Sequence, residues 1–277
     1  MKNAIALGTF DGIHIGHRAV LDLPNDYRKI AVTFSVPPKA VLTNDKALIT
    51  NSSDKKRILE SIGIDEIFML EFEDVRDMSP DMFLNLLKDK YNPALITCGF
   101  NYRFGKGGKG DIKTIKNFCT ENGCELRVTE PISKCGEVIS STFIRELLKK
   151  GEVEEATQLL TEPFSFETKV IEGDHRGRTI GFPTINQKYP EELVKLRFGV
   201  YKTEIKFSGH KYYGITDIGV RPTYKTNYII SETYIKDFNG NLYGETVRIT
   251  PLKFLRDEKK FESLEELKKQ ILIDINS

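Results

Sequence analysis

The feature that most constrains this 277-residue chain is a change of rhythm part-way along it. Up to about residue 160, short apolar runs alternate with stretches of helical period. "NAIALGTF" (3–10), "KIAVTF" (29–34), "EIFMLEF" (66–72), "ALITCG" (94–99) and "CELRVTE" (124–130) read as five strands. Ser53 is placed to cap a helix over "DKKRILESIG", and Ser79-Pro80 gives an N-cap with proline at N1 for "DMFLNLLKDKY". Strands separated by helices imply a parallel sheet with right-handed crossovers. Such sheets bind ligands at the C-terminal ends of their strands.

From 165 to 250 the pattern is strand after strand: "FETKVIE", "GVYKTEIKF", "HKYYGITDIG", "YIISETYIKDF" and "ETVRITPL", separated by turn signals such as "FNGN". Only "SLEELKKQILIDI" near the end has a helical period. This half predicts a small antiparallel β-barrel closed by one terminal helix. The boundary falls near residues 161–163, giving an α/β domain over 1–160 and a barrel over 164–277.

Composition removes several classes. No run of about 18 apolar residues occurs, so no membrane span is expected, and the N-terminus lacks a signal-peptide h-region. A net charge of +1 does not fit a dedicated nucleic-acid binder. Cys98, Cys119, Cys124 and Cys135 form no CxxC pair, which suits reduced thiols in a cytoplasmic protein.

The first chemical constellation is "GTFDGIHIGH" (8–17), where a strand gives way to a helix. Gly8 and Gly12 allow tight turns. His14 and His17, three apart, fall on one side of a helix start, and Gly16 leaves room for a ligand. Free N–H groups at a helix start attract phosphate, and two imidazole donors add stabilisation for charge developing on an α-phosphate. Two surface histidines in an ordinary loop are the bland alternative. Far along the chain, "ISSTFIRELLKKGEVEEA" (139–156) offers Ser140, Ser141 and Thr142 at a helix start and Arg145 one turn in. These residues fit either a phosphate site or a plain capping box with Ser141 or Thr142 as N-cap.

The pair HxGH and SSTxxR resembles the cytidylyltransferase-like nucleotidyltransferases. With "CGFNYRFGKGGKGD" (98–111), the half is similar to the FMN adenylyltransferase module of bacterial bifunctional riboflavin kinase/FAD synthetases. A tRNA synthetase, the other owner of HIGH, would need a KMSKS-like loop and a helical anticodon domain, and neither is present. The resemblance implies a Rossmann-like HxGH domain. In it His14, His17 and Arg145 handle ATP phosphates, with Ser141 and Thr142 beside them. Gly8, Phe10, Asp11 and Gly16 belong to the ATP-binding turn, and Asn101 to the flavin side. Two departures stand out. Pro37 in "FSVPP" replaces the family's usual histidine, and the helix after HxGH is short.

The second constellation is "EGDHRGRTIGFPTINQ" (172–187). Gly173, Gly177 and Gly181 flank basic residues, Arg176 among them, as in a loop that wraps phosphates. Thr184 and Asn186 share one side of an extended segment and offer oxygens to Mg²⁺. Glu232, in strand context, shares a face with Ile230 and Tyr234; turned inward, it would accept a hydroxyl proton. A glycine-rich hairpin and a solvated strand glutamate are the bland alternatives. Together with "GITDIGVRPTY" (214–224), "SETYIKDFNGNLYGE" (231–245) and "FLRDEKKFESLEELKKQI" (254–271), this half resembles the riboflavin kinase module over its whole length. That implies a six-stranded barrel with a terminal helix, ATP and Mg²⁺ at Thr184 and Asn186, and Arg221 on the flavin side. It also implies Glu232 as base on the ribityl terminal hydroxyl. The family's PTAN reads PTIN here, and its TNIG reads TDIG, placing Asp217 where asparagine is usual.

The expectation is a bifunctional cytoplasmic enzyme. It phosphorylates riboflavin with ATP to FMN, then adenylylates FMN with ATP to FAD and pyrophosphate, using Mg²⁺. Its expected partners are small molecules alone, with no membrane or nucleic acid, and its expected state is a monomer or weak oligomer. Two alternatives stand beside it: a riboflavin kinase whose adenylyltransferase half is weakened or lost, and a non-enzymatic flavin- or RNA-binding regulator on the same fold.

Overall fold

The computed structural model describes residues 1–44, 47–134, 136–173, 181–222 and 227–277; for Arg221, Pro222 and Asn227 only the backbone is described. The chain divides into two compact units, Met1–Ile144 with Leu159–Glu162, and Arg145–Gln158 with Pro163–Ser277.

The first unit is built on five parallel strands: β1 (Lys2–Leu7), β2 (Tyr27–Phe34), β3 (Glu66–Leu70), β4 (Leu95–Gly99) and β5 (Glu125–Thr129), in the order β3-β2-β1-β4-β5. Alternation along β1 sorts its side chains to two cores. Ile5 and Leu7 meet Phe83, Leu84 and Leu87 of α5 (Pro80–Tyr91) and Ile115 of α6 (Ile112–Asn122). Ala4 and Ala6 face Val20 and Leu21 of α1 (Ile15–Leu21) and Ile58 and Leu59 of α3 (Ser52–Ser61). Alanines on that face let both helices lie close to the sheet, and both helices start at its C-terminal edge. A one-turn helix, α4 (Phe72–Val75), precedes α5, and Ser79 caps α5 by accepting from Met82 N–H, as expected. The cap of α3 is Asn51, not Ser53: its side chain accepts from Asp54 N–H, and the helix begins one residue before Ser53. Asparagine caps as well as serine does, so side-chain preference alone does not choose between them.

Two short antiparallel strands, β6 (Ser133–Lys134) and β7 (Glu137–Val138), follow the sheet. The second unit contains a closed barrel of β8 (Phe166–Ile171), β9 (Thr184–Lys188), β10 (Gly199–Phe207), β11 (His210–Pro222), β12 (Asn227–Ile235) and β13 (Thr246–Arg256), in the order β10-β11-β12-β9-β8-β13. The sixth strand is the PTIN segment itself. A helix, Leu264–Asn276, follows the barrel, capped by Ser263. The barrel interior is partly polar. The hydroxyls of Thr203, Thr216 and Thr233, fully buried on three adjacent strands, form a chain with O···O distances of 2.9 Å. Gln187 Nε2 donates inside the barrel to the carbonyls of Thr168 (2.7 Å) and Val247 (2.8 Å).

Candidate functional site

In the first unit, β1 feeds a turn at the sheet edge beside β1 and β4, where strand order reverses; that is where open α/β sheets take ligands. The turn is backbone-strained. Phe10 has φ +46° and Ile13 has φ +40°, with Gly12 at +84° between them. Each non-glycine residue held there costs on the order of 1–3 kcal/mol, so the surroundings must fix it. They do so at every step. Thr9 O accepts from Thr33 Oγ1 (2.9 Å) and Lys55 Nζ (3.1 Å). Asp11 Oδ1 accepts from the N–H groups of Ile49 (3.0 Å) and Thr50 (3.1 Å), and its carbonyl from Ser141 Oγ (2.9 Å). Ile13 O accepts from Thr161 N–H (3.1 Å) and Oγ1 (2.5 Å).

The turn ends in His14, the N-cap of α1, whose Nδ1 accepts from His17 N–H (3.3 Å). The two imidazoles stack, with centroids 3.6 Å apart and planes 21° apart, and the Phe10 ring stands edge-on to His17 at 5.4 Å. Accepting a bond at Nδ1 leaves His14 with its proton on Nε2, a donor. Burial first, then the neighbouring His14 and the Lys55 cation, hold the pKa of His17 well below 6.5. Its Nδ1 is buried without a hydrogen-bond partner. The Ser141 bond to the Asp11 carbonyl brings the SST segment against the HxGH turn. The N-cap side chain of α7 (Ser141–Lys150), however, belongs to Ser140, which accepts from Phe143 N–H (3.2 Å), while Ser141 is used to hold the turn. Thr142 is exposed, and Arg145, one turn along α7, is half-buried.

Phe10 and Asp11, placed at the nucleotide from sequence, are 0 % and 1 % exposed and form the scaffold under the turn. Gly16 leaves room for His14: a Cβ there would stand 3.1 Å from the His14 ring. Gly8 likewise lies against the Phe10 ring. Asn101 is exposed just past β4, at the head of a loop closed by the Phe104–Gly110 bridge and by Lys106 N–H on Met78 O (2.7 Å). Pro37 is buried and precedes α2 (Pro38–Thr43), serving as a helix start with no side-chain donor.

Sequence reading missed Lys55. It is fully buried, and its ammonium donates to the carbonyls of Thr9 (3.1 Å) and Phe34 (2.7 Å). Desolvation lowers its pKa to about 8, against a raising effect from Asp11. The signal was available: Lys55 precedes Ile58 and Leu59 by three and four residues, on the apolar stripe of α3.

In the second unit, strand register assembles the site. Asp217 of β11 lies opposite Glu232 of β12, and Glu232 opposite Asn186 of β9. Directly opposed residues share a face, so these three form one row across the barrel wall. Ser231 and Thr233 are fully buried, whereas Glu232 is exposed. Glu232 therefore sits on the outer face and is not turned inward; alternation along β12 gives the inside to the small hydroxyl residues. Asn186 is 6 % exposed, and its Oδ1 has no hydrogen-bond partner. Gly173 lies against it: a Cβ there would stand 2.3 Å from Asn186 Nδ2, so a larger residue would push the amide aside. A buried, unpartnered amide oxygen beside the hydroxyl-bearing Thr184 is a donor set suited to a hard divalent cation. Asp217 reaches solvent, yet desolvation, then the Glu258 and Glu232 carboxylates, push its pKa up to about 6. Beside this row lies a 270 Å³ cavity lined by Val170, Thr184, Ile235, Phe238 and residues 239–243. Its wall includes the "FNGN" stretch, which the sequence showed only as a turn. Gly181 is exposed. Arg176, Gly177 and the side chain of Arg221 lie outside the described residues.

Residues 1–143 match the FAD synthetase family model, and residues 160–277 match the riboflavin kinase family model. The bifunctional riboflavin kinase/FMN adenylyltransferase of Listeria monocytogenes is 33 % identical, covering 98 % of this chain and 90 % of its own length. That of Bacillus subtilis is 34 % identical over 98 % and 89 %, and that of Escherichia coli K12 is 32 % identical over 98 % and 90 %. A crystal structure described as a macrolide-efflux protein from Streptococcus pneumoniae superposes with a TM-score of 0.90 at 30 % identity, covering 99 % of this chain and 92 % of that one. Among the described residues, no helix is long and apolar enough to cross a membrane. With both family models matched in order and relatives similar over nearly their full length, the chain belongs to the family of bifunctional riboflavin kinase/FMN adenylyltransferases.

Proposed function

We propose that the barrel unit transfers the γ-phosphoryl group of ATP to the 5′-hydroxyl of riboflavin, and that the α/β unit transfers AMP from a second ATP to the FMN so formed. In the first step the ribityl oxygen attacks the γ-phosphorus, ADP leaves, and Glu232 accepts the hydroxyl proton. The outer-face position of Glu232 suits this role, because substrate meets the barrel from outside. The nucleotide takes the cavity beside Thr184. Thr184 and the unpartnered Asn186 oxygen would hold Mg²⁺, which supplies charge neutralisation on the phosphates.

In the second step a phosphate oxygen of FMN attacks the α-phosphorus of ATP, and pyrophosphate leaves. His14 presents its Nε2–H as a fixed donor, with His17 stacked behind it. Preorganised donors of this kind are worth a factor of about 10²–10³ in rate. Arg145 brings a cationic fork to the phosphates, and Asn101 serves the flavin side. The observation that supports the reading is a pair of stacked histidines at a helix start beside β1, together with an unpartnered buried oxygen opposite a glutamate in the barrel.

The test is chromatographic separation of products from riboflavin, ATP and Mg²⁺. Wild type should pass through FMN to FAD, and the His14→Ala/His17→Ala variant should stop at FMN. Glu232→Gln should make no FMN yet convert added FMN to FAD. FAD formation at the wild-type rate by the double variant sinks the first assignment, and FMN formation by Glu232→Gln sinks the second. The buried, donor-free Pro37 favours a slower adenylyl transfer than phosphorylation, visible in the same chromatogram as FMN that accumulates before FAD appears.

A further inference from the structure

We propose that Lys55 is a positioning residue for adenylyl transfer: its buried ammonium locks the strained turn carrying His14 and His17 and ties that turn to the end of β2. The inference rests on the reading that this turn binds the ATP phosphates.

Three observations carry it. Lys55 occupies a position on the buried stripe of α3 that Ile58 and Leu59 otherwise fill with apolar side chains. Packing alone would favour a methionine or leucine there, since a desolvated ammonium is costly unless hydrogen-bonded. Its bonds then go to two particular carbonyls. Thr9 O immediately precedes Phe10, the first left-handed residue of the turn, and Phe34 O ends β2, where "FSVPP" begins. Ser52, on the same helix, donates to the next carbonyl, Ser35 O (3.1 Å). The first turn of α3 thus grips the ends of two adjacent strands at the ligand edge of the sheet. Finally, the lock is reciprocal. The turn's Asp11 accepts from Ile49 and Thr50, two residues that lead into α3. A cation reaches from α3 to the turn, and an anion reaches from the turn back to the start of α3. The Lys55 charge also helps hold His17 neutral, which keeps the stacked pair a hydrogen-bonding surface rather than two repelling cations.

Lys55→Met removes the charge and both donors at similar length, and Lys55→Gln keeps one neutral donor group. Steady-state kcat and KM for FAD formation from FMN and ATP should be measured on both, with riboflavin phosphorylation by the same full chain as internal control. The expected result is a fall in kcat of at least tenfold for Lys55→Met, a smaller fall for Lys55→Gln, KM for FMN within threefold, and phosphorylation within twofold of wild type. FAD formation within threefold of wild type in both variants overturns the proposal. So does a parallel loss of both activities, which marks a merely structural lysine; should Lys55→Met not fold, Lys55→Gln decides. If His14→Ala/His17→Ala still forms FAD normally, the phosphate reading of the turn fails, and that failure is seen without reference to Lys55.

Discussion

A fully buried lysine makes a prediction about stability that differs in sign from the usual ion pair. Burial lowers the pKa of Lys55 from 10.5 to about 8. Between those values the unfolded chain holds a proton that the folded chain has released, so raising the pH through this window favours the folded state. Below pH 8 both states are protonated and the fold carries the whole desolvation cost. At 1.36 kcal/mol per pH unit, the part relieved between pH 7 and pH 10 is about 2.5 kcal/mol. Urea unfolding of wild type and Lys55→Met, followed by circular dichroism across this range, isolates the effect, because other groups titrating there are common to both proteins and cancel in the difference. Wild type should gain about 2.5 kcal/mol relative to the variant as the pH rises. Parallel curves, within about 0.5 kcal/mol, would show that Lys55 is not a desolvated ammonium in the folded chain and refute the reasoning. A relative loss for wild type would do so more strongly, since it would mean an ion pair that stabilises.

Other expectations concern the barrel. Gly173→Ala places a Cβ 2.3 Å from Asn186 Nδ2, so riboflavin phosphorylation should fall at least tenfold, about 1.4 kcal/mol in barrier, while adenylyl transfer assayed on FMN stays unchanged; full phosphorylation would mean Asn186 need not hold its place. Thr216→Val breaks the buried hydroxyl chain between Thr203 and Thr233 and should destabilise the protein by about 1–3 kcal/mol, read from its thermal midpoint; an unchanged midpoint would show the chain to be energetically neutral. Asn186→Leu and Gln187→Leu should move stability in opposite directions. The first removes an unpartnered oxygen and raises the midpoint while abolishing phosphorylation. The second strips two carbonyls of their donor and lowers it. Two shifts of the same sign would contradict the difference between these neighbours.

Much of this architecture was legible because local and global signals agree. The five parallel strands follow apolar runs, and the Ser79-Pro80 cap has one sensible reading. The barrel strands alternate between buried Ser231 and Thr233 and exposed Glu232. What was not legible depends on contacts distant in sequence. That Asn51 rather than Ser53 caps α3 turns on where Asp11 fixes residues 49 and 50, a constraint 38 residues away. The scaffold role of Asp11 itself is invisible beside two histidines that suggest a ligand. For Glu232 alternation gave a face shared with Ile230 and Tyr234 but not which face is inside, and the row it forms with Asp217 and Asn186 depends on strand register. Lys55 was hidden by its chemistry: a lysine in a helix is read as solvated unless its apolar neighbours three and four residues on are weighed first.

Polar burial alone does not distinguish the two candidate sites from the rest of the molecule; lack of a protein partner does. The barrel interior buries Thr203, Thr216 and Thr233 and lets them satisfy one another, so that polarity is structural and complete. Among the described residues, the buried side-chain atoms left without a partner are His17 Nδ1, Asn186 Oδ1 and Gln187 Oε1. Each such atom costs about 1–3 kcal/mol, and a fold that satisfies polar groups elsewhere retains the cost where something else relieves it. Two of the three belong to the two sites reached independently from motif and register. The third, Gln187, adjoins Asn186 but points to the inner side of β9, where its amide nitrogen is already committed to Thr168 and Val247. Its oxygen is the remainder of an internal solution, whereas Asn186, on the outer side against Gly173, stands in the row with Glu232. The same distinction holds in the first unit. Asp11 is buried and engaged by Ile49 and Thr50, whereas the buried Nδ1 of the part-exposed His17 is not, so the turn's scaffold and its working surface are separated by which atoms the protein has left for a ligand to satisfy.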